Sequence, residues 1–110
     1  MNYVVLDMEW NQAITYSDMI KDPVFLTGEI IQIGAIMLND AFKAVSSFNS
    51  RVLPQYYTEL HPQVAEVTKL EQRDLRNGKP FVDVFSSCLL MSDLSINLPS
   101  AVNLRLMQST

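Results

Sequence analysis

Cysteine is almost missing from this chain: Cys88 stands alone among 110 residues. No internal disulfide can form, and a lone thiol suits a reducing compartment. Basic charge is also in short supply, with eight Lys and Arg against twelve Asp and Glu, a net charge of −4 and a pI near 4.7. No global positive field draws in nucleic acid, although a site where a metal ion supplies local positive charge stays open. No uncharged apolar run approaches the ~20 residues of a membrane span. Met1-Asn2-Tyr3 has no basic segment and Asp7 interrupts the first apolar run, so no signal peptide is expected. A soluble, cytoplasmic protein without a membrane partner is the expectation.

The chain does have a core. Hydrophobic residues make up 48% and the mean hydropathy is +0.10, enough for one small domain and too much for disorder. Its most informative stretch is Tyr3-Val4-Val5-Leu6-Asp7-Met8-Glu9, an apolar strand that closes on two acids. Residues two apart share one face of a strand, so Asp7 and Glu9 point together and Met8 points away. Two unpaired carboxylates in a core would cost several kcal/mol each, on the order of an ion's burial penalty. A divalent cation would remove that conflict. The competing reading is a strand end reaching solvent, where carboxylates cost little.

Residues 3–9 therefore read as a first strand, and Asn11 to Pro23 as a polar loop over its end. Gly28 to Leu38 is a central strand, apolar on both faces. Ala41 to Leu53 returns antiparallel after a tight Asn39-Asp40 hairpin, and Pro54 ends it. A short helix opens at Pro62 and runs to Val67, and a second starts at Pro80 after the Asn77-Gly78 turn. In that second helix Phe81, Val84, Phe85, Cys88 and Leu89 share one face. Three antiparallel strands followed by helices make an α+β or mixed α/β unit, seen in its first half. Beyond Phe85 the composition changes: all ten aromatics lie at or before it, and only Asp93 and Arg105 are charged in residues 86–110. Serines thicken the tail and Pro99 interrupts it, so residues 89–110 are expected to be irregular.

Taken in order, these segments resemble the DEDD superfamily of 3′-to-5′ exonucleases, in the branch containing ribonuclease T and the proofreading subunit of DNA polymerase III. Tyr3 to Glu9 resembles the family's first motif, a strand ending in Asp-x-Glu. Gly28-Glu29-Ile30-Ile31-Gln32-Ile33-Gly34-Ala35 is similar to its second strand. His61-Pro62, Val67-Thr68-Lys69-Leu70, Asp74-Leu75 and Pro80-Phe81-x-x-Val84-Phe85 resemble the segment leading into its first long helix. Trp10 stands where many relatives have threonine, and Lys69 where many have glycine.

The resemblance covers roughly residues 1–88, as the N-terminal part of an exonuclease domain. It implies an α/β, ribonuclease H-like fold whose mixed sheet is incomplete here. The implied chemistry is hydrolysis at a nucleic-acid 3′ end with two Mg2+ or Mn2+ ions, about 3.5–4 Å apart. Asp7 would bridge both ions, and Glu9 would bind one while orienting the attacking water. The backbone from Met8 through Trp10 to Asn11 would meet the terminal nucleotide. The family also uses two further aspartates and a histidine or tyrosine base downstream. In this chain Asp93 is the sole acid after Asp83, and no histidine follows His61. The chain thus reads as a truncated or frame-altered member with impaired activity. The alternative is a non-catalytic nucleic-acid-binding or interaction module on the same fold, prone to self-association through an unpaired sheet edge.

Other residues carry blander expectations. Glu29 reads as solvated or ion-paired, Gln32 as a structural amide, and His61 as a cap beside Pro62. Lys69, Arg73, Arg76 and Lys79 could steer a phosphate backbone, but their interleaving with Glu71 and Asp74 fits a solvated face better. Trp10 suits base stacking or core packing equally. Cys88 reads as buried core, and Thr68 and Asp74 as cap or turn residues.

Overall fold

The computed structural model describes residues 2–91, together with the backbone of residues 102–108. Four strands form one mixed sheet: β1 (Asn2–Asn11), β2 (Glu29–Leu38), β3 (Ala44–Arg51) and β4 (Val102–Gln108), in the order β3-β2-β1-β4. β1 runs antiparallel to β2, and β2 to β3, whereas β4 lies parallel to β1. The helices are α1 (Pro62–Thr68), α2 (Gln72–Arg76) and α3 (Phe81–Met91). No helix among the described residues is long and apolar enough to cross a membrane.

Strand alternation decides where the core sits. Val4, Leu6 and Met8 of β1 and Ile33, Ala35 and Met37 of β2 turn to one face, where they pack with Val52 and with Val84 and Cys88 of α3. A second cluster joins Ile31 to Leu70 and Leu75, with Leu60 and Val64 against it. Residues between those positions turn the other way: Asp7, Ile36, Asn49 and Arg51 are exposed there. Helices thus cover one face of the sheet, and no described helix packs on the other.

Three expectations change in detail. The hairpin is wider than a tight Asn39-Asp40 turn, and β3 starts only at Ala44. Asn39 Oδ1 accepts from the amides of Ala41 and Lys43, at 2.9 and 3.1 Å. Phe42 takes a left-handed φ of 59°, and its ring stacks on Tyr3 with centroids 5.0 Å apart. That side-chain bonding makes a longer turn than the dipeptide suggests. α2 was not anticipated; a capping box between Glu71 and Asp74 starts it, satisfying amides that a five-residue helix leaves open.

The third change concerns the tail. α3 continues to Met91, and Val102–Gln108 is a strand rather than irregular chain, paired from Asn2↔Val102 to Met8↔Gln108. Val102, Leu104 and Leu106 alternate with Asn103 and Arg105, a period of two that suits a sheet. Asp93 and Pro99, singled out from the sequence, lie outside the described residues. β4 pairs with β1, so the outer strands of the described sheet are β3 and β4.

Candidate functional site

β1 presents Asp7 exposed and Glu9 half-buried on the open face, while Met8 is buried in the core between them. The two acids therefore share a face, as alternation requires. Asp7 is not in an apolar interior, however. Burial therefore weighs on Glu9, whose Oε2 is shielded from solvent, and not on Asp7.

The register builds rows across the open face. Val5 lies beside Ile36 and Ser47; Asp7 beside Gly34 and Asn49; Glu9 beside Gln32 and Arg51. Gly34 leaves a trough in the middle row. A Cβ there would meet Asp7 O at 3.5 Å and Phe48 O at 3.9 Å, ordinary contacts. No steric conflict forbids a side chain at this position, so the trough is a feature of surface shape.

Two carboxylates on one strand face give a hard oxygen donor set. Mg2+ is commonly held by one or two carboxylates, with waters and substrate phosphates completing its shell. Asp7 and Glu9 fit that pattern for one ion. Among the described residues no third acid, histidine or cysteine gathers with them, so a two-ion cage needs donors beyond this set.

Beside the acids, the expected nucleotide-contact residues are placed as follows. The Met8 side chain is core. Trp10 is half-buried and packs against the main cluster, and its Nε1 has no hydrogen-bond partner among the described residues. Asn11 is fully buried. Its Nδ2 donates to the carbonyls of Tyr57 and Glu59, both at 2.8 Å, and its Oδ1 accepts from His61 N at 2.9 Å. Every polar atom of that amide is committed to the 57–61 segment, so only the Asn11 backbone is left for a ligand.

Directly opposite Asn11 in the register is Glu29, which is neither simply solvated nor ion-paired. Its carboxylate accepts from the backbone amides of Gln55, Tyr56 and Tyr57, at 2.6, 2.9 and 2.8 Å. This cross-strand pair clamps the 55–61 segment over the end of β1 and β2. Tyr57 extends the clamp: its hydroxyl accepts from Ile20 N at 3.0 Å and donates to Leu26 O, fastening the β1–β2 connection. Sequence reasoning missed the clamp because its partners lie 26 to 50 residues apart.

The remaining candidates take structural posts. His61 caps α1, its Nδ1 accepting from Gln63 N at 3.1 Å. Thr68 Oγ1 donates to Val64 O at 2.8 Å, and Asp74 Oδ2 accepts from Glu71 N at 2.7 Å. Arg73 pairs with Glu71 at 2.6 Å. Cys88 is buried against the sheet, and that burial pushes its thiol pKa up.

No protein-family profile matches this sequence, and no curated protein does either. Solved structures do share its fold. A 3′-exonuclease in a structure of 3′-end-specific recognition of a histone mRNA stem-loop aligns with a TM-score of 0.74 at 18% identity, over 97% of this chain and 45% of its own. The nuclease domain of 3′hExo, a DEDDh family member bound to rAMP, aligns at 0.72 and 17%, over 97% and 50%. A full-length 3′-exonuclease aligns at 0.69 and 19%, over 86% and 40%. The chain therefore has the ribonuclease H-like fold of DEDD-type 3′-exonucleases, and spans half or less of the length of these three.

Proposed function

We propose that this chain is the 3′-end-binding portion of a 3′-to-5′ exonuclease, with Asp7 and Glu9 as ligands for Mg2+ or Mn2+. The observation that carries this reading is the shared orientation of the two acids on an open sheet face, within a fold common to 3′-exonucleases. In phosphodiester hydrolysis a pair of such ions supplies an activated water and charge stabilisation at the leaving oxygen. Asp7, which is exposed, and Glu9, which is half-buried, would hold the ion by their carboxylates, and Glu9 would orient a water. The backbone from Met8 to Asn11 borders this tip, where the terminal nucleotide would sit against Trp10.

A second reading has support in the donor count. Two carboxylates serve one ion, so the described residues favour binding a nucleic-acid end over turning it over. Losing the second ion's charge stabilisation would cost several kcal/mol at the transition state.

Titration calorimetry with Mn2+ and Mg2+ tests the site. The chain should bind at millimolar ion or below, and Asp7→Asn should weaken binding at least tenfold, removing one of two charged ligands. No heat of binding in the parent chain overturns the metal site. Metal-dependent shortening of a 5′-labelled oligonucleotide, abolished in Asp7→Ala, identifies the enzyme. Binding without shortening identifies the module.

A further inference from the structure

At the β3 end of the Glu9–Gln32–Arg51 row the surface drops into a groove of about 480 Å3, lined by Gln32, Asn49, Ser50, Arg51, Asn77 and Lys79. The lining chemistry is one-sided: two cations, three amides and a hydroxyl, with no acid. It is also built from fixed backbone. Lys79 N donates to Arg51 O at 3.2 Å, and Leu53 N to Lys79 O at 2.8 Å, so the 77–79 segment lies against the end of β3. Gly78 permits that approach, since a Cβ there would stand 2.7 Å from Leu53 N. Asp74 touches Arg51 Nη1 at 3.3 Å, which leaves most of the guanidinium's five donors for another acceptor.

Arg51 stands two strands from Glu9 in the same row, roughly 10 Å at the usual strand spacing. Gly34 and Gln32 floor the way between the acids and the groove. A nucleic-acid strand with its 3′ end at Asp7 and Glu9 can run across this trough, with its backbone phosphates toward Arg51 and Lys79. We propose that the groove seats a backbone phosphate of that strand, with Arg51 and Lys79 as its cationic contacts. This rests on the reading that Asp7 and Glu9 mark the 3′-end site. It also explains how an acidic protein binds a polyanion: the positive charge is local.

Fluorescence anisotropy with a labelled single-stranded oligonucleotide, run over a salt series in Mg2+ and in EDTA, tests the proposal on the full chain. Each phosphate neutralised on a single strand contributes about 0.7 to the slope of log K against log salt. Arg51→Gln/Lys79→Gln should therefore reduce that slope by about 1.4 and weaken low-salt binding at least tenfold. Lys43→Gln/Arg73→Gln changes the net charge equally outside the groove and should leave the slope intact. Asp74→Asn, which keeps an oxygen for the Glu71 amide, should tighten binding by releasing Arg51, and by more than Glu66→Gln, which removes an equal charge from an exposed position outside the groove. Melting curves confirm that each variant folds. Equal losses in the two double variants, or none in either, overturn the groove. Binding that depends on Mg2+ and Asp7 but not on Arg51 and Lys79 overturns the groove alone. A parent chain that binds no oligonucleotide overturns the groove and the 3′-end site together.

Discussion

At the scale of single residues, the same strand carries the proposed ligand pair and a structural pin. The shared face of Asp7 and Glu9 was legible from alternation alone, because a period of two needs no knowledge of the partner strands. Asn11, two residues further on, looked equally polar, yet its partners lie 46 to 50 residues away. Polarity in sequence does not reveal whether a side chain meets solvent or a distant backbone. Removing the Asn11 amide strands two carbonyls and one amide. Asn11→Ala should therefore destabilise the fold by about 3 kcal/mol, the upper range for buried polar groups left unpaired. Asn11→Asp is nearly isosteric but sets a second acceptor against the Tyr57 and Glu59 carbonyls, so at neutral pH it should be at least as damaging. Urea midpoints measure both. A loss in either variant below about 0.5 kcal/mol, the range of ordinary surface substitutions, would show that the clamp contributes little.

At the scale of elements, the sequence disclosed the long pieces and hid the short ones. β1 and β2 carry strong apolar runs and formed where expected. α2 has only five residues, too few for helical periodicity to register, and its sign was the Glu71-x-x-Asp74 capping pattern. β4 alternates from Val102 to Leu106, but Met107 and Gln108 break the period and its seven residues stand beside serine-rich chain. The end of α1 carries a local cost. Lys69 sits at the C-cap with φ 64° and ψ 13°, a left-handed conformation that costs an L-residue about 1–2 kcal/mol and that glycine adopts freely. Lys69→Gly relieves that strain but adds backbone entropy to the unfolded chain, worth about 0.5–1 kcal/mol. The first effect is larger, so the variant should gain a few tenths to about 1 kcal/mol. Lys69→Ala keeps the positive φ and should gain nothing. Equilibrium denaturation that ranks alanine above glycine would contradict this account of the α1 terminus.

At the scale of the whole molecule, one packed face holds the sheet and helices together, and Cys88 sits inside it. α3 buries only Val84 and Cys88, while Phe81, Phe85 and Leu89, beside them on the same apolar arc, remain exposed. The thiol is therefore a reporter on whether α3 leaves the sheet alone or with everything else. Burial raises its pKa, so at any given pH it holds less thiolate than a free thiol, and thiolate is the species that alkylates. Iodoacetamide should react far more slowly with the folded chain than with the chain in urea. The linkage has a definite sign. A group whose folded pKa is raised contributes stability that is present below its unfolded value and is lost as pH climbs past it. Stability should thus fall as pH rises through 9.0, the ordinary thiol value, and Cys88→Ala should remove that part of the fall. If alkylation tracks the global unfolding equilibrium in mild urea, helix and sheet open as one unit. If it runs well ahead of it, α3 detaches first and the sheet keeps its acids without the helix. The two acids lie on the face α3 does not touch, so metal binding at Asp7 and Glu9 should persist in the second case and disappear with alkylation protection in the first.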